Sequence, residues 1–266
     1  MTRLTWLGHS TVLLETAGVR LLTDPVLRAR IGPVGRRLDL VEIDLATVDA
    51  VLISHLHHDH LDLPSMRLLP PEVRVIVPSG AGALLRGSGF PNVTELAVDQ
   101  STTWGSAVIE AVPARHEGRR RPFGPNAPAL GFRIAGEDVI YFAGDTDIFP
   151  EMAGLATDLD LAILPVGGWG PTLRGGHMDA VRAAKALTLL RPRTAVAIHW
   201  GTLWPIGMGR VRRARFEEPG RRFVDEARRI APLVSVPLLV PGDRIELPAR
   251  ETSAPLAHPI DQLPPS

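Results

Sequence analysis

Several short apolar runs in this chain stop abruptly at a histidine or an aspartate, and this pattern restricts the fold more than any other feature. Asp49 to Ile53 ends in Ser54-His55, Val139 to Ala143 ends in Gly144-Asp145, and Thr194 to Ile198 ends in His199-Trp200-Gly201. A short continuous apolar run bounded by turn residues reads as a buried strand. If such strands are neighbours, the polar residues at their ends converge, and rigid strands hold them in the geometry that a metal or catalytic site needs.

The rest of the chain supplies the partners for those strands. Leu4 to Leu7, Thr11 to Thr16 and Val19 to Thr23 are predicted strands joined by tight turns, with Ala17-Gly18 as a hairpin signal. Val73 to Val77, Ala107 to Val112, Ala129 to Ile134 and Leu161 to Leu164 add further strands. Gly80 to Leu85 reads as a helix start with Ser79 as its N-cap, and Asp179 to Leu190 as an alanine- and leucine-rich helix capped by Asp179. Glu218 to Ile230 is a further predicted helix, with Pro219 in the tolerated first turn. Strands alternating with helices predict one α/β domain over residues 1–248, its helices covering its sheets. Pro205 to Gly220, rich in glycine and arginine and without periodicity, reads as a long surface loop. The Pro-rich segment 249–266 reads as a disordered tail, and His258 within it has no predicted role.

Composition narrows the function classes. Basic and acidic residues balance at 29 each, which does not suggest a nucleic-acid partner. The absence of cysteine excludes disulfides, thiolate metal sites and a thiol nucleophile. The first residues lack the apolar core of a signal peptide, and no apolar run reaches the roughly 18 residues that span a bilayer. The expectation is a cytoplasmic protein without an integral membrane segment, acting on a small molecule, with homo-oligomerisation left open.

The densest chemistry lies in Ser54-His55-Leu56-His57-His58-Asp59-His60, directly after a predicted strand. In extended backbone His55 and His57 point the same way, because the side-chain period is two. A turn then carries Asp59 and His60 to a second position. Neutral imidazoles with carboxylates suit zinc and similar divalent ions, with manganese and iron as alternatives. Asp24, in a strand-terminal Thr23-Asp24-Pro25, is a candidate to orient a ligating imidazole through its free ring N–H, and His9 to line the same floor.

His55-x-His57-x-Asp59-His60 resembles the signature of the metallo-β-lactamase superfamily. Trp6-Leu7-Gly8-His9-Ser10-Thr11, Leu22-Thr23-Asp24-Pro25, Pro113-Ala114-Arg115-His116, Ala143-Gly144-Asp145-Thr146 and His199-Trp200-Gly201-Thr202 extend the likeness in order and spacing. They resemble the branch that includes N-acyl-phosphatidylethanolamine-hydrolysing phospholipase D and L-ascorbate-6-phosphate lactonase. The resemblance spans about Leu4 to Glu226 and implies a four-layer αββα sandwich with two divalent metal ions. It implies that His55, His57 and His116 hold one metal, that Asp59, His60 and His199 hold the other, and that Asp145 bridges them. It also places His177, in Gly175-Gly176-His177-Met178-Asp179, beside the metals, where it contacts substrate or assists the leaving group.

That ligand set implies a mechanism. Two divalent ions about 3.5 to 4 Å apart share a water, lower its pKa and yield a bridging hydroxide that attacks a carbonyl carbon or a phosphorus. Asp59 and Asp145 then hold the nucleophile. Arg119, Arg120 and Arg121 follow His116, and Arg210, Arg212, Arg213 and Arg215 follow His199. If these loops flank the mouth, they favour an anionic phosphodiester or a lactone or ester, with Arg119 as the candidate substrate contact. Solvated charged loops are the competing explanation. A non-catalytic metal-binding protein and a phospholipase D-type hydrolase of lipid phosphodiesters are the competing functions.

Overall fold

A computed structural model describes residues 1–120, 124–170, 172–173, 175–208 and 216–248. The predicted tail, Arg121 and the arginines of 210–215 lie outside the described residues.

The first sheet begins as a meander of β1 (Arg3–Gly8), β2 (Thr11–Thr16) and β3 (Val19–Thr23), paired antiparallel. It continues through β6 (Ala50–Leu52), β7 (Arg74–Pro78) and β8 (Val93–Leu96), each parallel to its predecessor in the sheet. The short β16 (Arg244–Glu246) closes the other edge on β1. The second sheet runs in the order β14 (Thr194–Ile198), β13 (Leu161–Pro165), β12 (Val139–Phe142), β11 (Leu130–Ala135), β10 (Ala107–Pro113) and β9 (Ser101–Trp104). Here β12, β13 and β14 are parallel. A small third sheet joins β15 (Leu203–Pro205), β5 (Val34–Arg36) and β4 (Arg30–Ile31).

Alternation along the strands explains why the two large sheets pack face to face. Val12, Leu14, Leu21, Leu52 and Ile76 share one core cluster with Ile109, Phe132 and Ile134 of the second sheet. Their neighbours Leu13, Leu22, Val51, Val75 and Val77 point the other way, into a second cluster. Met66 of α1 (Leu63–Met66) and Leu85 of α2 (Gly82–Gly87) cover that outer face. Beyond the second sheet, Ala183, Ala184 and Leu187 of α3 (Ala180–Leu190) and Phe223 and Ala227 of α4 (Pro219–Ile230) belong to the first cluster. The layers run helix, sheet, sheet, helix, the αββα arrangement expected from the sequence. Among the described residues no helix is long and apolar enough to cross a membrane.

Local chemistry decides where the helices start. Asp179 caps α3, its carboxylate accepting from the Arg182 N–H at 2.8 Å. Ser79 does not cap α2, which begins later, at Gly82, with Ala81 at its cap. Glu95, on the neighbouring strand β8, accepts from the Gly80 N–H at 2.8 Å, just before the helix, and from the backbone of Gly82 at its start.

Helix α4 also supports the loop behind His199. Trp200 is buried and stacks on Trp6 with ring centroids 5.6 Å apart. Gly220 lies against this indole so closely that an added Cβ would overlap it. Gly220→Val is therefore expected to destabilise the fold by about 1–3 kcal/mol, the usual cost of overpacking a filled core. Thermal unfolding checks this against Gly154→Ala, where an added Cβ meets nothing within 4 Å and the melting temperature should barely move.

Candidate metal centre

The parallel strands of both sheets deliver their C-terminal ends to one edge of the sandwich. Asp24 follows β3, the segment 54–60 follows β6, His116 follows β10, Asp145 follows β12 and His199 follows β14. The backbone turns sharply at these points: His9, Asp24 and His199 have φ of 53°, 35° and 62°. Left-handed backbone at a non-glycine residue costs of order 1–3 kcal/mol and is retained where the surroundings over-determine it. At Gly8, φ is +110° and a Cβ would lie 2.7 Å from the Arg36 guanidinium. Only glycine lets the chain turn there and present His9 to the site.

Five imidazoles and two carboxylates gather at this edge in two sets. His55 Nε2 lies 3.0 Å from His57 Nδ1, which lies 3.1 Å from His116 Nε2. In the second set His60 Nε2 and His199 Nε2 are 3.1 Å apart, with Asp59 Oδ2 at 3.7 and 3.5 Å from them. Asp145 stands between the sets. Its Oδ2 is 3.2 Å from His60 Nε2 and 3.9 Å from both His55 Nε2 and His116 Nε2, while its Oδ1 is 3.3 Å from His199 Nε2.

The outer nitrogens show what the inner ones must be. His116 and His199 donate Nδ1–H to the carbonyls of Gly176 and Gly167 at 2.9 and 3.0 Å. His60 donates Nδ1–H to Asp24 Oδ2 at 2.7 Å. Ser54 gives its hydroxyl proton to Asp24 at 2.6 Å, so its oxygen accepts from His55 Nδ1–H at 3.0 Å. In the neutral rings, each Nε2 therefore faces inward as a lone pair. Hydrogen bonds of this kind orient imidazoles for metal binding and raise their basicity. The Nε2 atoms of His60 and His199, 3.1 Å apart, would repel as lone pairs unless a proton or a cation lies between them, and ligands round a tetrahedral ion with ordinary zinc bonds lie about 3.3 Å apart. Asp145 Oδ1 is buried with no hydrogen-bond partner, as a carboxylate oxygen facing a cation would be. The residues present form a candidate His/Asp metal site.

Electrostatics agrees with this geometry. Burial holds His55 well below the usual imidazole range, and pushes His116 down to about 4. Burial, together with neighbouring His199, lowers His9 to about 3. Burial acts against ionisation of Asp59 and Asp145, yet the imidazoles around them outweigh it and hold both well below the usual carboxylate range. His60 is held well above its ordinary value, burial being overcome by Asp145, Asp24 and Asp59.

All seven residues expected as ligands, with His9, Asp24 and His177, meet at this edge. His9 lies 2.9 Å from Asp59 through Nε2, and its backbone N–H donates to Thr202. His177 Nε2 is 3.3 Å from Asp145 Oδ2, with its side chain partly exposed. Arg119 is exposed and does not line the cavity above the centre. Arg120 is buried and donates to the carbonyls of Leu56 and Leu61 at 2.9 and 2.8 Å, clamping the ligand loop from behind. The sequence reading missed Ser54, Arg120 and the carbonyls of Gly167 and Gly176. Ser54 alone had a visible signal, as the residue before His55.

Chelation is expected to lower the unfolding midpoint, and added Zn2+, Mn2+ or Fe2+ to restore it in proportion to log concentration. Acid should also destabilise the metal-free protein. His9, His55, His57 and His116 take up protons near pH 6.5 when unfolded but only at lower pH when folded. The unfolded chain thus binds more protons below about pH 6.5, and stability falls with pH there. Asp59 and Asp145, present as stabilising charges above their unfolded pKa, add to the loss further down. His60 works the other way, its contribution being full below pH 6.5 and lost on raising the pH through its folded value. Urea midpoints should fall from pH 7 to pH 4; a rise would contradict this balance.

Comparison with known proteins gives the same picture. A family profile described as "Beta-lactamase superfamily domain" matches residues 19–200. An uncharacterized protein of Mycobacterium tuberculosis is 36% identical over 259 residues, which cover 91% of this chain and 68% of that one. The N-acyl-phosphatidylethanolamine-hydrolyzing phospholipase D 1 of Caenorhabditis elegans is 32% identical over 230 residues, covering 76% of this chain and 64% of that one. The chain thus spans about two thirds of the length of these two relatives. The structure of Igni18, a metallo hydrolase of Ignicoccus hospitalis, superposes with a TM-score of 0.68 at 23% identity, covering 92% of this chain and 97% of that one. That structure shares the fold, and the profile and relatives carry the conclusion that the chain belongs to the metallo-β-lactamase superfamily of metal-dependent hydrolases.

Proposed function

We propose that this protein hydrolyses a phosphodiester or a lactone or carboxylic ester with two divalent metal ions, zinc being the first choice. The observation that carries this reading is the position of Asp145, between two sets of inward-facing imidazoles and with one oxygen unpartnered. His55, His57 and His116 would hold one ion, Asp59, His60 and His199 the other, and Asp145 both. When bound, such a pair supplies Lewis acidity and lowers the pKa of a shared water towards neutrality.

The chain's own groups then orient the reaction. Asp24 reaches both metal sets, through His60 directly and through Ser54 to His55. The nearby His9 Nε2 lies 2.9 Å from Asp59 Oδ2, the same oxygen that faces His60 and His199, and holds that carboxylate in place. His177, beside Asp145 and lining the cavity, is placed to hold a proton at Nε2 and pass it to a leaving oxygen. The name of the C. elegans relative supports the phosphodiester arm. Among the described lining residues there is no lysine or arginine, so the Arg119 argument for an anionic substrate has no support from the cavity.

Purified metal-replete protein should turn over at least one class among phosphodiesters, lactones, carboxylic esters and β-lactams; inactivity on all would overturn the reading. Asp145→Asn should lower kcat by about 1,000-fold or more, whereas a non-catalytic metal protein would keep its function. Elemental analysis should give two metals per wild-type chain. His177→Ala should slow alkoxide leaving groups by about 100-fold and 4-nitrophenolate, which departs without a proton, far less. Equal losses on both would remove the proton from His177.

A further inference from the structure

Arg120 is a guanidinium buried behind the metal centre, and the hydrolytic reading makes no use of it. Among the described residues it forms no ion pair with a carboxylate, and burial lowers its pKa against the charge of Asp62. A cation taken out of water is costly unless its surroundings satisfy it. Its acceptors are two main-chain carbonyls and one imidazole nitrogen. All three belong to the segment 56–61, which carries His57, Asp59 and His60.

The contacts fall at the start, the middle and the end of that segment. Nη1 donates to the Leu56 carbonyl at 2.9 Å and to the Leu61 carbonyl at 2.8 Å, so one nitrogen spans the two ends. Nη2 lies 3.1 Å from His58 Nδ1, and since a guanidinium only donates, the imidazole nitrogen accepts. Guanidinium donors sit in a rigid plane, which fixes the spacing of their acceptors as a flexible ammonium does not. The clamp is itself held by the stretch of chain that delivers His116. Leu56 N–H donates to the Gly118 carbonyl at 3.3 Å, so Leu56 is gripped from both sides. Arg120 N–H donates to the Pro125 carbonyl at 3.1 Å, and a Cβ on Gly124 would overlap the Arg120 side chain. Within this frame His57 meets His116 of one set, while His60 and Asp59 meet His199 of the other. A change in the span of the segment would therefore move ligands of both sets.

We propose that Arg120 is a positioning residue of the metal centre, setting the separation of His57 from Asp59 and His60 on which metal binding by both sets depends. The assignment rests on the metal-binding reading above and not on the substrate or the reaction. Charge alone would act with the opposite sign. A fixed cation near divalent ions repels them, so its loss would tighten binding. Loss of the clamp instead lets the ligands drift from their positions and weakens binding. The direction of the change in metal affinity therefore separates the two.

Competition of the zinc-loaded full chain against a chromophoric chelator measures that affinity. Arg120→Met, which keeps an unbranched stem and removes the donors, should weaken both zinc steps by about 10- to 100-fold. Arg120→Lys keeps the charge without the planar fork and should weaken them by about tenfold, and it carries the test if Arg120→Met does not fold. Arg228→Met, at an exposed ion pair on α4, should bind as the wild type does. Unfolding midpoints of the metal-free proteins are measured alongside. A merely structural arginine would lower those midpoints and leave the zinc affinity of the folded variants unchanged, which would overturn the assignment. Tighter binding in Arg120→Met would overturn it as well, and so would weakening of one step alone. A wild-type chain that takes up no zinc would overturn the metal reading itself, a result visible before any substitution is made.

Discussion

The structure depends on how it neutralises two carboxylates that it has taken out of water. Asp145 is 2% exposed and Asp59 9%, and a buried ionised carboxylate is costly unless it is paired or coordinates a metal. Here the available partners are imidazoles whose outer N–H groups are already given to Asp24, Ser54, Gly167 and Gly176. Their inner nitrogens can meet the carboxylates only through a proton or a cation. With protons alone the cluster can place one charge readily, on His60, which faces three carboxylates. Burial first, and then the neighbouring imidazoles, disfavour further protonation, and His55, His57 and His116 are all lowered. Bound metal would resolve both problems together, because it would carry positive charge into the space between the inner nitrogens and the carboxylates.

The fold makes this concentration of charge possible by segregating it. Apolar alternation fills the interior between the sheets, and the polar residues appear only where strands end. Parallel strands matter most, since their carboxyl ends lie on one edge, where open α/β sheets bind ligands. The price in backbone strain falls at the same edge, at His9, Asp24 and His199. The Trp6–Trp200 stack and the Trp6 indole, which donates to the His9 carbonyl at 3.0 Å, brace that strain from inside the core.

Much of this was legible in the sequence, and what was legible is local. The long strands differ from expectation by a residue or two, because apolar runs and hairpin glycines are local signals. The Asp179 cap is also local, acting three residues away. The candidate site residues were readable because His55, Asp145 and His199 stand just after such runs and His57, Asp59 and His60 follow His55 in one dense cluster. The β4 and β5 strands were not, since two or three residues beside Gly32 and Pro33 carry no periodicity, and the short β8, β9, β15 and β16 were missed as well. Ser79 failed as a cap because the helix starts three residues later, at Gly82, where Glu95, remote in sequence, accepts from the backbone. The Gly167 and Gly176 carbonyls are backbone atoms, and nothing in a side-chain pattern marks them. Arg120 shows the opposite failure: a conspicuous charge near His116 suggests substrate, while its partners are two backbone carbonyls of the ligand loop.

Those two glycine carbonyls also connect parts that a list of ligands would leave separate. Gly167 orients the His199 ring in one set and Gly176 the His116 ring in the other, and cavity-lining residues of the loop stand between them. A change that moved this loop would tilt His199 and His116 together, and so alter both sets of inner nitrogens. At Gly176 a Cβ would sit 3.2 Å from the His116 ring, at a φ of +81° that favours glycine. Small residues there let the loop approach the ligands closely enough for its carbonyls to act. One stretch of backbone thus both lines the cavity and orients the His199 and His116 rings, which limits how far the cavity can vary while those rings keep their positions.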